Sequence, residues 1–397
     1  MLDLKSFVVN GELIIDKPHW YQLNNSHDRQ ELKDAISNVI DELDLPLVEI
    51  TEEEAKQDFY ELAKFDARTL LNKDSLYSKA DYSYELSHWY IKNSVIGRKA
   101  SNYFHQFARW KVQHARHTSP YRSWTIKKFH QTFLNPLWTL NIPEVNNKTL
   151  RMCIQMRMYM AAQYPPAVAK ALYNLFEAKD VLDFSMGWGD RLAGFYASEY
   201  GKHYVGIDPR KENHPIYKEQ AKFYDTHLGF FEHDRKSEFY CSPAEDFDFS
   251  QYNEYFDLVF TSPPYFSVER YSYDDTQSWV RYKDIEDWNK DFLQTTLGNL
   301  WGSIKSGGYL LVNISDVYTN SKWSTDRGWL EICNPMNDYL SKLGEYQGCI
   351  GMEMAKRPNS GGAGTAKTYE GSVWTEKSLE NKADKKFGEP IWIWKKT

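Results

Sequence analysis

The chain has 397 residues, of which 42% are hydrophobic and 16% aromatic, so it can bury the core of one large or two ordinary domains. Its four widely spaced cysteines indicate neither a disulfide framework nor a zinc site, and no stretch is apolar enough to span a membrane. We therefore expect a cytoplasmic protein of bacterial or phage type, or a nuclear one. It should hold no metal, and it should be neither secreted nor membrane-bound.

Residues 1–85 form an acidic segment in a chain whose net charge is −7. This segment contains 19 Asp and Glu residues against 9 Lys and Arg residues. Within it, Leu32, Ile36, Ile40 and Leu43 recur at helical spacing, which predicts an amphipathic helix packed against a core. We expect residues 1–85 to form a mainly helical accessory region.

Residues 86–148 form a basic, aromatic-rich region. Its first 58 residues contain no acidic side chain, nine basic ones and five histidines, with many aromatic residues between them. This composition can neutralise phosphates and stack on bases, so it favours contact with nucleic acid. A solvated basic face, or one that docks on the acidic first segment, is the alternative. The candidate nucleic-acid-binding residues are Arg109, Lys111, Arg116, Arg122, Lys127 and Lys128.

Beyond residue 148 the chain alternates between helical and strand patterns. A short strand ends at Asp183 and leads into a turn that contains Ser185, Gly187 and Gly189. A second strand ends at Asp208, about 20 residues further on, where a carboxylate can accept hydrogen bonds from both hydroxyls of a ribose. This spacing predicts a nucleoside-binding edge, although dinucleotide enzymes and ordinary tight turns share the glycine pattern.

The most specific feature is a buried strand that stops at two prolines. The strand runs from Asp257 to Thr261, and Pro263 and Pro264 cannot continue a hydrogen-bonded ladder, so a stiff loop must follow at its carboxyl end. The hydroxyl of Ser262 and the carbonyl of Pro263 can act as rigid acceptors there, and Tyr265 offers a flat face for stacking. Such a loop suits a planar heterocycle that carries an exocyclic amine.

The segment from Thr261 to Tyr265 resembles the catalytic motif of S-adenosylmethionine-dependent amino-methyltransferases that act on DNA. The resemblance covers residues 149–397. It implies an α/β fold with a Rossmann-like, seven-stranded sheet, helices on both faces and an antiparallel final strand, preceded here by the mainly helical N-terminal region. It places the glycine turn, the strand-end Asp, an acidic loop and the catalytic loop after strands one to four.

Several roles follow from this resemblance. The catalytic residues are Ser262, Pro263, Pro264 and Tyr265, and the residues expected to bind S-adenosyl-L-methionine are Asp183, Ser185, Gly187, Gly189, Asp208, Glu245 and Asp246. A serine in the first motif position is commonest in enzymes that methylate N4 of cytosine. The resemblance therefore implies methylation of a flipped base in DNA, as in restriction–modification systems. N6 of adenine and RNA bases are alternatives.

Two other classes of protein stay open. One is a nucleic-acid-binding protein that retains the cofactor fold without turnover, and the other is a methyltransferase for a small amine or for a protein glutamine. The pair Asp190-Arg191 follows the glycine turn, where the family often carries small hydroxyl residues, so the methionine pocket or the transferred group can differ. Residues 267–287 are either a lid or a surface excursion, and residues 356–388 form a long insert before the closing strand.

Overall fold

The computed structural model describes residues 2–72, 77–78, 82–85, 89–114, 117–228, 235–319, 328–354, 379–381 and 386–397. The helices are α1 (Lys17–Ser26), α2 (Arg29–Val39), α3 (Glu52–Lys64), α4 (Arg98–Trp110), α5 (Pro120–Thr125), α6 (His130–Phe133), α7 (Pro136–Thr139), α8 (Asn147–Arg157), α9 (Pro166–Leu175), α10 (Asp190–Tyr196), α11 (His214–His227), α12 (Ser278–Arg281), α13 (Ile285–Asp287), α14 (Thr295–Trp301) and α15 (Cys333–Leu340). A π-helix at Trp288–Gln294 joins α13 to α14. None of these helices is long and apolar enough to cross a membrane.

The strands are short at the N-terminal end of the chain and longer towards its C-terminal end. They are β1 (Val8–Val9), β2 (Glu12–Leu13), β3 (Leu71–Asn72), β4 (Tyr77–Ser78), β5 (Trp89–Ile91), β6 (Gln113–His114), β7 (Asp180–Asp183), β8 (His203–Ile207), β9 (Lys236–Tyr240), β10 (Phe256–Thr261), β11 (Glu269–Arg270), β12 (Ile304–Asn313), β13 (Val317–Thr319), β14 (Gly328–Leu330), β15 (Glu345–Met354), β16 (Leu379–Asn381) and β17 (Lys386–Lys395). Most of the predicted insert 356–388 lies outside the described residues.

The chain folds into two compact units. The helical unit comprises Met1–Thr51, His105–Ala162 and Glu269–Tyr271, and the sheet unit comprises Glu52–Phe104, Gln163–Val268 and Ser272–Thr397. Each of the three predicted segments, 1–85, 86–148 and 149–397, contributes to both units. The domain division expected from charge therefore does not coincide with the division by packing, because charge reports the surface of a segment whereas packing depends on its apolar face.

The helical unit has its own hydrophobic core. The expected amphipathic helix is confirmed, since Leu32 and Ile36 of α2 are fully buried, and Ile40 and Leu43 just beyond it are buried as well. The helix begins after Asp28, whose carboxylate accepts a hydrogen bond from the backbone N–H of Glu31 at 2.8 Å and so caps the first turn. Side chains from α1, α4, α5, α6, α7 and α8 complete this core.

The sheet unit is built on a mixed sheet whose strand order is β3-β5-β15-β17-β12-β10-β7-β8-β9. Strands β12, β10, β7, β8 and β9 are parallel neighbours, and β17 runs antiparallel to both β12 and β15. The expected Rossmann-like seven-stranded sheet with an antiparallel final strand is thus confirmed. Beyond it, β5 and β3 extend the edge next to β15, although they lie in segments for which no strand was expected.

Helices cover both faces of this sheet. Residues of β10 alternate between the two faces: Leu258 and Phe260 pack with α3, α9, α10 and α11, whereas Val259 packs with the π-helix, α14 and α15. Because both faces are buried, the central strands read as near-continuous apolar runs, as parallel strands commonly do. In β7 and β10 the polar side chains accordingly lie at or next to the strand ends.

A buried lysine closes the C-terminal end of α3. The Lys170 side chain, only 2% exposed, donates from Nζ to the carbonyls of Leu62, Ala63 and Phe65 at 2.9, 2.8 and 2.8 Å. These carbonyls include ones that a helix end leaves without an intrahelical donor. Lys170 thereby fixes α3 against α9, which precedes the first strand of the parallel core.

Candidate functional site

The glycine turn and the diproline loop lie at the same edge of the sheet. Strands β7 and β10 are parallel neighbours, with Val181 paired to Leu258 and Leu182 to Val259. Both strands therefore end at the same edge, which is where open α/β sheets bind their ligands. The register brings the segments that follow Asp183 and Thr261 side by side.

The Asp183 carboxylate connects these two segments. It is fully buried and accepts hydrogen bonds from the Arg191 Nε at 2.7 Å and Nη2 at 3.1 Å, from Tyr204 Oη at 2.7 Å, from Thr261 Oγ1 at 3.1 Å and from the Ser185 N–H at 3.2 Å. Its oxygens are engaged within the protein, so its effect on a ligand is exerted through the turn that it holds. Thr261 is the residue that immediately precedes Ser262.

Arg191 compensates the buried charge of Asp183. Its side chain is 4% exposed, and besides the two bonds to the carboxylate it donates from Nη2 to the carbonyl of Ser185. The guanidinium also lies over the ring of Tyr164, 5.2 Å from its centroid. Arg191, which departs from the family pattern, is thus the ion-pair partner of Asp183. It also stabilises the turn through the carbonyl of Ser185.

Two glycines make the turn possible. Gly187 and Gly189 have φ angles of +59° and +65°, in the left-handed region that side chains disfavour. A Cβ at Gly189 would also collide with the side-chain amide of Gln220, so a larger residue there would have to displace that buried side chain. The turn is therefore fixed both by backbone conformation and by the close approach of α11.

Asp208 holds the glycine turn from the second strand. Its Oδ2 accepts from the N–H of Gly187 at 3.0 Å and its Oδ1 from the N–H of Arg210 at 2.9 Å. The residue is half-buried, and this burial raises the pKa of its carboxyl above the ordinary value of 3.8. The predicted cofactor residues thus form two hydrogen-bonded pairs, Ser185 with Asp183 and Gly187 with Asp208, along one turn.

The diproline loop is compact and anchored by its last residue. Pro263 is buried, whereas Ser262, Pro264 and Tyr265 are half-buried. The carbonyl of Pro264 accepts from the N–H of Phe266 at 3.1 Å, and that of Tyr265 accepts from the N–H of Val268 at 3.0 Å. Phe266 itself is fully buried at a left-handed φ of +47°. Core packing of its ring thus holds the loop in a tight bend.

The acidic loop binds an arginine that sequence reasoning missed. Glu245, 8% exposed, lies with Asp246 in a short 3-10 helix after β9. Arg281 contacts the Oε1 of Glu245 at 2.6 Å and the Oδ2 of Asp246 at 2.9 Å, both through Nη1. Burial raises the pKa of the Glu245 carboxyl. The two predicted adenine contacts therefore form one network with a side chain from the segment after the diproline loop.

The described basic residues of the predicted nucleic-acid surface belong to the helical unit, and some are engaged within it. Arg109 donates from Nε and Nη2 to the carbonyl of Ala161 at 3.0 and 2.7 Å, which makes it a structural residue. Lys127 donates to Asn38 Oδ1 at 2.7 Å. Lys128 lies over the ring of Phe129, 5.0 Å from its centroid.

An exposed aromatic residue lies beside one of these cations. Phe107 is 44% exposed, and Lys111 Nζ lies 4.5 Å from the centroid of its ring. The ring of Tyr121 meets Phe107 edge to face at 5.9 Å, and Arg122 follows it in α5. Arg116 lies outside the described residues. The group Phe107, Lys111 and Tyr121 therefore pairs a cation with an exposed ring on the predicted surface.

Within the described part of the chain, no group of three or more His, Cys, Asp and Glu residues is arranged to hold a metal ion. The polar groups of the sheet edge are instead hydrogen-bond acceptors and backbone N–H groups. They can orient a ligand that carries hydroxyl or amino groups.

The fold is a Rossmann-like α/β sheet with an antiparallel final strand. No family model matches the chain, and no curated protein sequence matches it. Among solved structures it is similar to TrmN from Thermus thermophilus, at 11% identity and a TM-score of 0.34, over 59% of this chain and 49% of that one. It thus spans about half the length of TrmN.

Two further solved structures show a similarity of the same extent. TehB from Haemophilus influenzae has 12% identity and a TM-score of 0.32, over 58% of this chain and 61% of that chain. A geranyl diphosphate methyltransferase in complex with SAM has 10% identity and a TM-score of 0.36, over 59% of this chain and 86% of that chain. Similarity this low does not transfer an activity, and the fold assignment rests on the strand order of the chain itself.

Proposed function

We propose that the protein transfers a methyl group from S-adenosyl-L-methionine to the exocyclic amine of a base in DNA, with N4 of cytosine as the first candidate. One observation carries this proposal: the hydrogen bond between Thr261 and Asp183 joins the catalytic loop to the glycine turn at one sheet edge. A donor held by the turn and a base held by the loop would therefore meet.

The residues of the edge suit S-adenosylmethionine. The half-buried carboxylate of Asp208 is an acceptor at a strand end, the chemistry that ribose hydroxyls require. Gly187 and Gly189 allow backbone to approach the methionine portion closely. Glu245 or Asp246 supplies an acceptor for the exocyclic amine of adenine. When bound, the cofactor would supply an electrophilic methyl group on its sulfonium.

The catalytic loop would orient the amine. The Ser262 hydroxyl and the Pro263 carbonyl accept hydrogen bonds from the two amine hydrogens, so that the nitrogen lone pair turns towards the donor. Tyr265 stacks on the base, which must leave its helix stack at a cost of a few kcal/mol. The buried ring of Phe266 keeps this loop in place, so little ordering is needed when the base enters.

The basic and aromatic residues of the helical unit favour nucleic acid as the partner. Lys111, Phe107 and Tyr121 combine a cation with accessible aromatic faces, and Arg122, Lys127 and Lys128 add positive charge in the same unit. DNA is the partner we propose. RNA is the alternative, and the same surface chemistry would serve it.

The experiment that tests the proposal is methyl transfer with identification of the product. The protein is incubated with labelled S-adenosylmethionine and duplex DNA of varied sequence, or with RNA, and the nucleic acid is then digested to nucleosides and analysed by mass. We expect N4-methylcytosine. N6-methyladenine or a methylated RNA base would select the corresponding alternative.

Variants of the loop separate catalysis from binding. Ser262→Ala and Tyr265→Ala should lose most of the transfer, whereas Ser250→Ala and Tyr60→Ala, which alter exposed side chains of the same unit, should keep it. A wild-type protein that binds nucleic acid and transfers no methyl group to any tested sequence would favour the non-catalytic binding protein. Transfer that ignores both loop substitutions would contradict the proposed roles.

A further inference from the structure

The acidic loop presents two kinds of hydrogen-bonding group side by side. Arg281 Nη1 and Nη2 contact the two carboxylate oxygens of Asp246 at 2.9 and 3.2 Å, in the parallel geometry that a guanidinium and a carboxylate adopt. The Arg281 side chain is 29% exposed and that of Asp246 is 50% exposed. Both therefore reach the surface of the loop, and a ligand there would meet an acceptor beside a donor.

Glu245 makes this arrangement stable. Its Oε1 accepts from Arg281 Nη1 at 2.6 Å and from the hydroxyl of Tyr282 at 3.1 Å, and its side chain is almost fully buried. Glu245 thus holds the guanidinium on its buried side, while Asp246 and Arg281 form the solvent-accessible pair. A buried carboxylate with two donors on one oxygen is better placed to hold Arg281 than to meet a ligand.

The edge of adenine is complementary to such a pair. Its exocyclic amine is a donor and the neighbouring ring nitrogen is an acceptor. A carboxylate can only accept and a guanidinium can only donate. Hypoxanthine carries a carbonyl and a protonated ring nitrogen at the same positions, so its pattern is reversed. Against the same pair, its carbonyl would face a carboxylate and its N–H a guanidinium.

We propose that Arg281 determines the purine specificity of the cofactor site: Asp246 accepts from the exocyclic amine of adenine while Arg281 donates to its ring nitrogen. This inference rests on the proposed function, because it deepens the description of the same cofactor site. It assigns Arg281, a residue of the segment that follows the catalytic loop, a direct contact with the cofactor. The segment 267–287 therefore contributes to cofactor recognition.

The test compares two ligands that differ only in the purine. The full-length protein is titrated calorimetrically with S-adenosylhomocysteine and with S-inosylhomocysteine, as wild type and as Arg281→Met and Arg281→Lys. We expect the wild type to prefer the adenine compound by about 100-fold, because the inosine compound sets an acceptor against the carboxylate and a donor against the guanidinium. Arg281→Met should reduce this preference about 10-fold or more, by weakening adenine binding. Arg281→Lys, which keeps the charge without the fork, should fall between the two.

The ratio of the two affinities distinguishes a direct contact with the purine from a structural role. If the role of Arg281 is merely structural, its substitution should weaken the binding of both ligands equally. Arg68→Met, which removes an exposed arginine of the same unit that pairs with Asp66, is the matched control and should leave the ratio unchanged. If Arg281→Met does not fold, as judged by its melting temperature, Arg281→Lys carries the test alone. An unchanged ratio in the variant that folds would overturn the inference.

The outcome also distinguishes this inference from the proposed function. If the wild type binds S-adenosylhomocysteine without discriminating against the inosine compound, the role of Arg281 is wrong and the methyltransferase proposal stands. If the wild type binds neither compound, both fail together. A preference that persists in Arg281→Lys and Arg281→Met would leave cofactor binding in place and refute only the contact with Arg281.

Discussion

Removing the charge of Asp183 should destabilise the sheet unit strongly. Asp183→Asn leaves the guanidinium of Arg191, only 4% exposed, without the carboxylate that it contacts at 2.7 and 3.1 Å. Breaking a buried ion pair by neutralising one partner costs about 3–5 kcal/mol. With about 2–4 °C of Tm per kcal/mol in a large domain, Tm should fall by about 6–20 °C.

A double-mutant cycle measures the interaction directly. Arg191→Met should also be destabilising, because it leaves Asp183 buried without its cation. Asp183→Asn combined with Arg191→Met should be less destabilised than the sum of the two single variants, since neither charge then remains unpaired. Urea unfolding followed by circular dichroism gives the free energies. An Asp183→Asn variant within about 1 kcal/mol of wild type, or a strictly additive double variant, would refute the reasoning.

Three further results are expected. Lys170→Met should cost about 3 kcal/mol in urea unfolding, because three carbonyls lose a buried donor, and a loss below about 1 kcal/mol would contradict that role. Because the pKa of Asp208 is raised in the folded state, the stability that this carboxyl contributes is present below pH 3.8 and is lost as pH rises through the raised pKa. Asp208→Asn should remove this loss of stability with rising pH. An unchanged pH profile of unfolding in the variant would contradict the assignment. Replacing Lys111, Lys127 and Lys128 by Gln should reduce the slope of log affinity for DNA against log salt by about 1 for each phosphate that a lysine no longer neutralises. An unchanged slope would instead favour a methyltransferase for a small amine or a protein glutamine.

The strands at the centre of the fold were predictable, and the reason is physical. A parallel strand with both faces covered is almost wholly apolar, and Pro263 and Pro264 mark where β10 must end. The same applies to the strand that ends at Asp183, whose turn needs glycines at 187 and 189. The order of the strands came from the resemblance, because periodicity reports burial and says nothing about which strands are neighbours. Strand β5, which lies between β3 and β15, was not predictable because three residues carry too little pattern.

The partners of the polar residues were not predictable. In the sequence, Arg191 is only a departure from the family pattern. Its structural role depends on the glycine turn, which brings its side chain into contact with Asp183. Arg281 lies 35 positions after Asp246, and no local spacing connects them. Arg109, expected on a nucleic-acid surface, donates instead to a backbone carbonyl. Charge can be read from composition, but a hydrogen-bond partner is decided by tertiary folding.

Phe266 carries a consequence for how the protein meets its substrate. A left-handed backbone at a non-glycine residue is unfavourable by about 1–3 kcal/mol, and here the burial of the phenyl ring beside Trp288 offsets that strain. Core packing therefore fixes the bend of the loop before a base would bind in the proposed site. Soaking a ligand into a crystal of the ligand-free protein should leave the backbone of this loop unmoved. Phe266→Gly would remove both the strain and the buried ring, so the loop would become flexible.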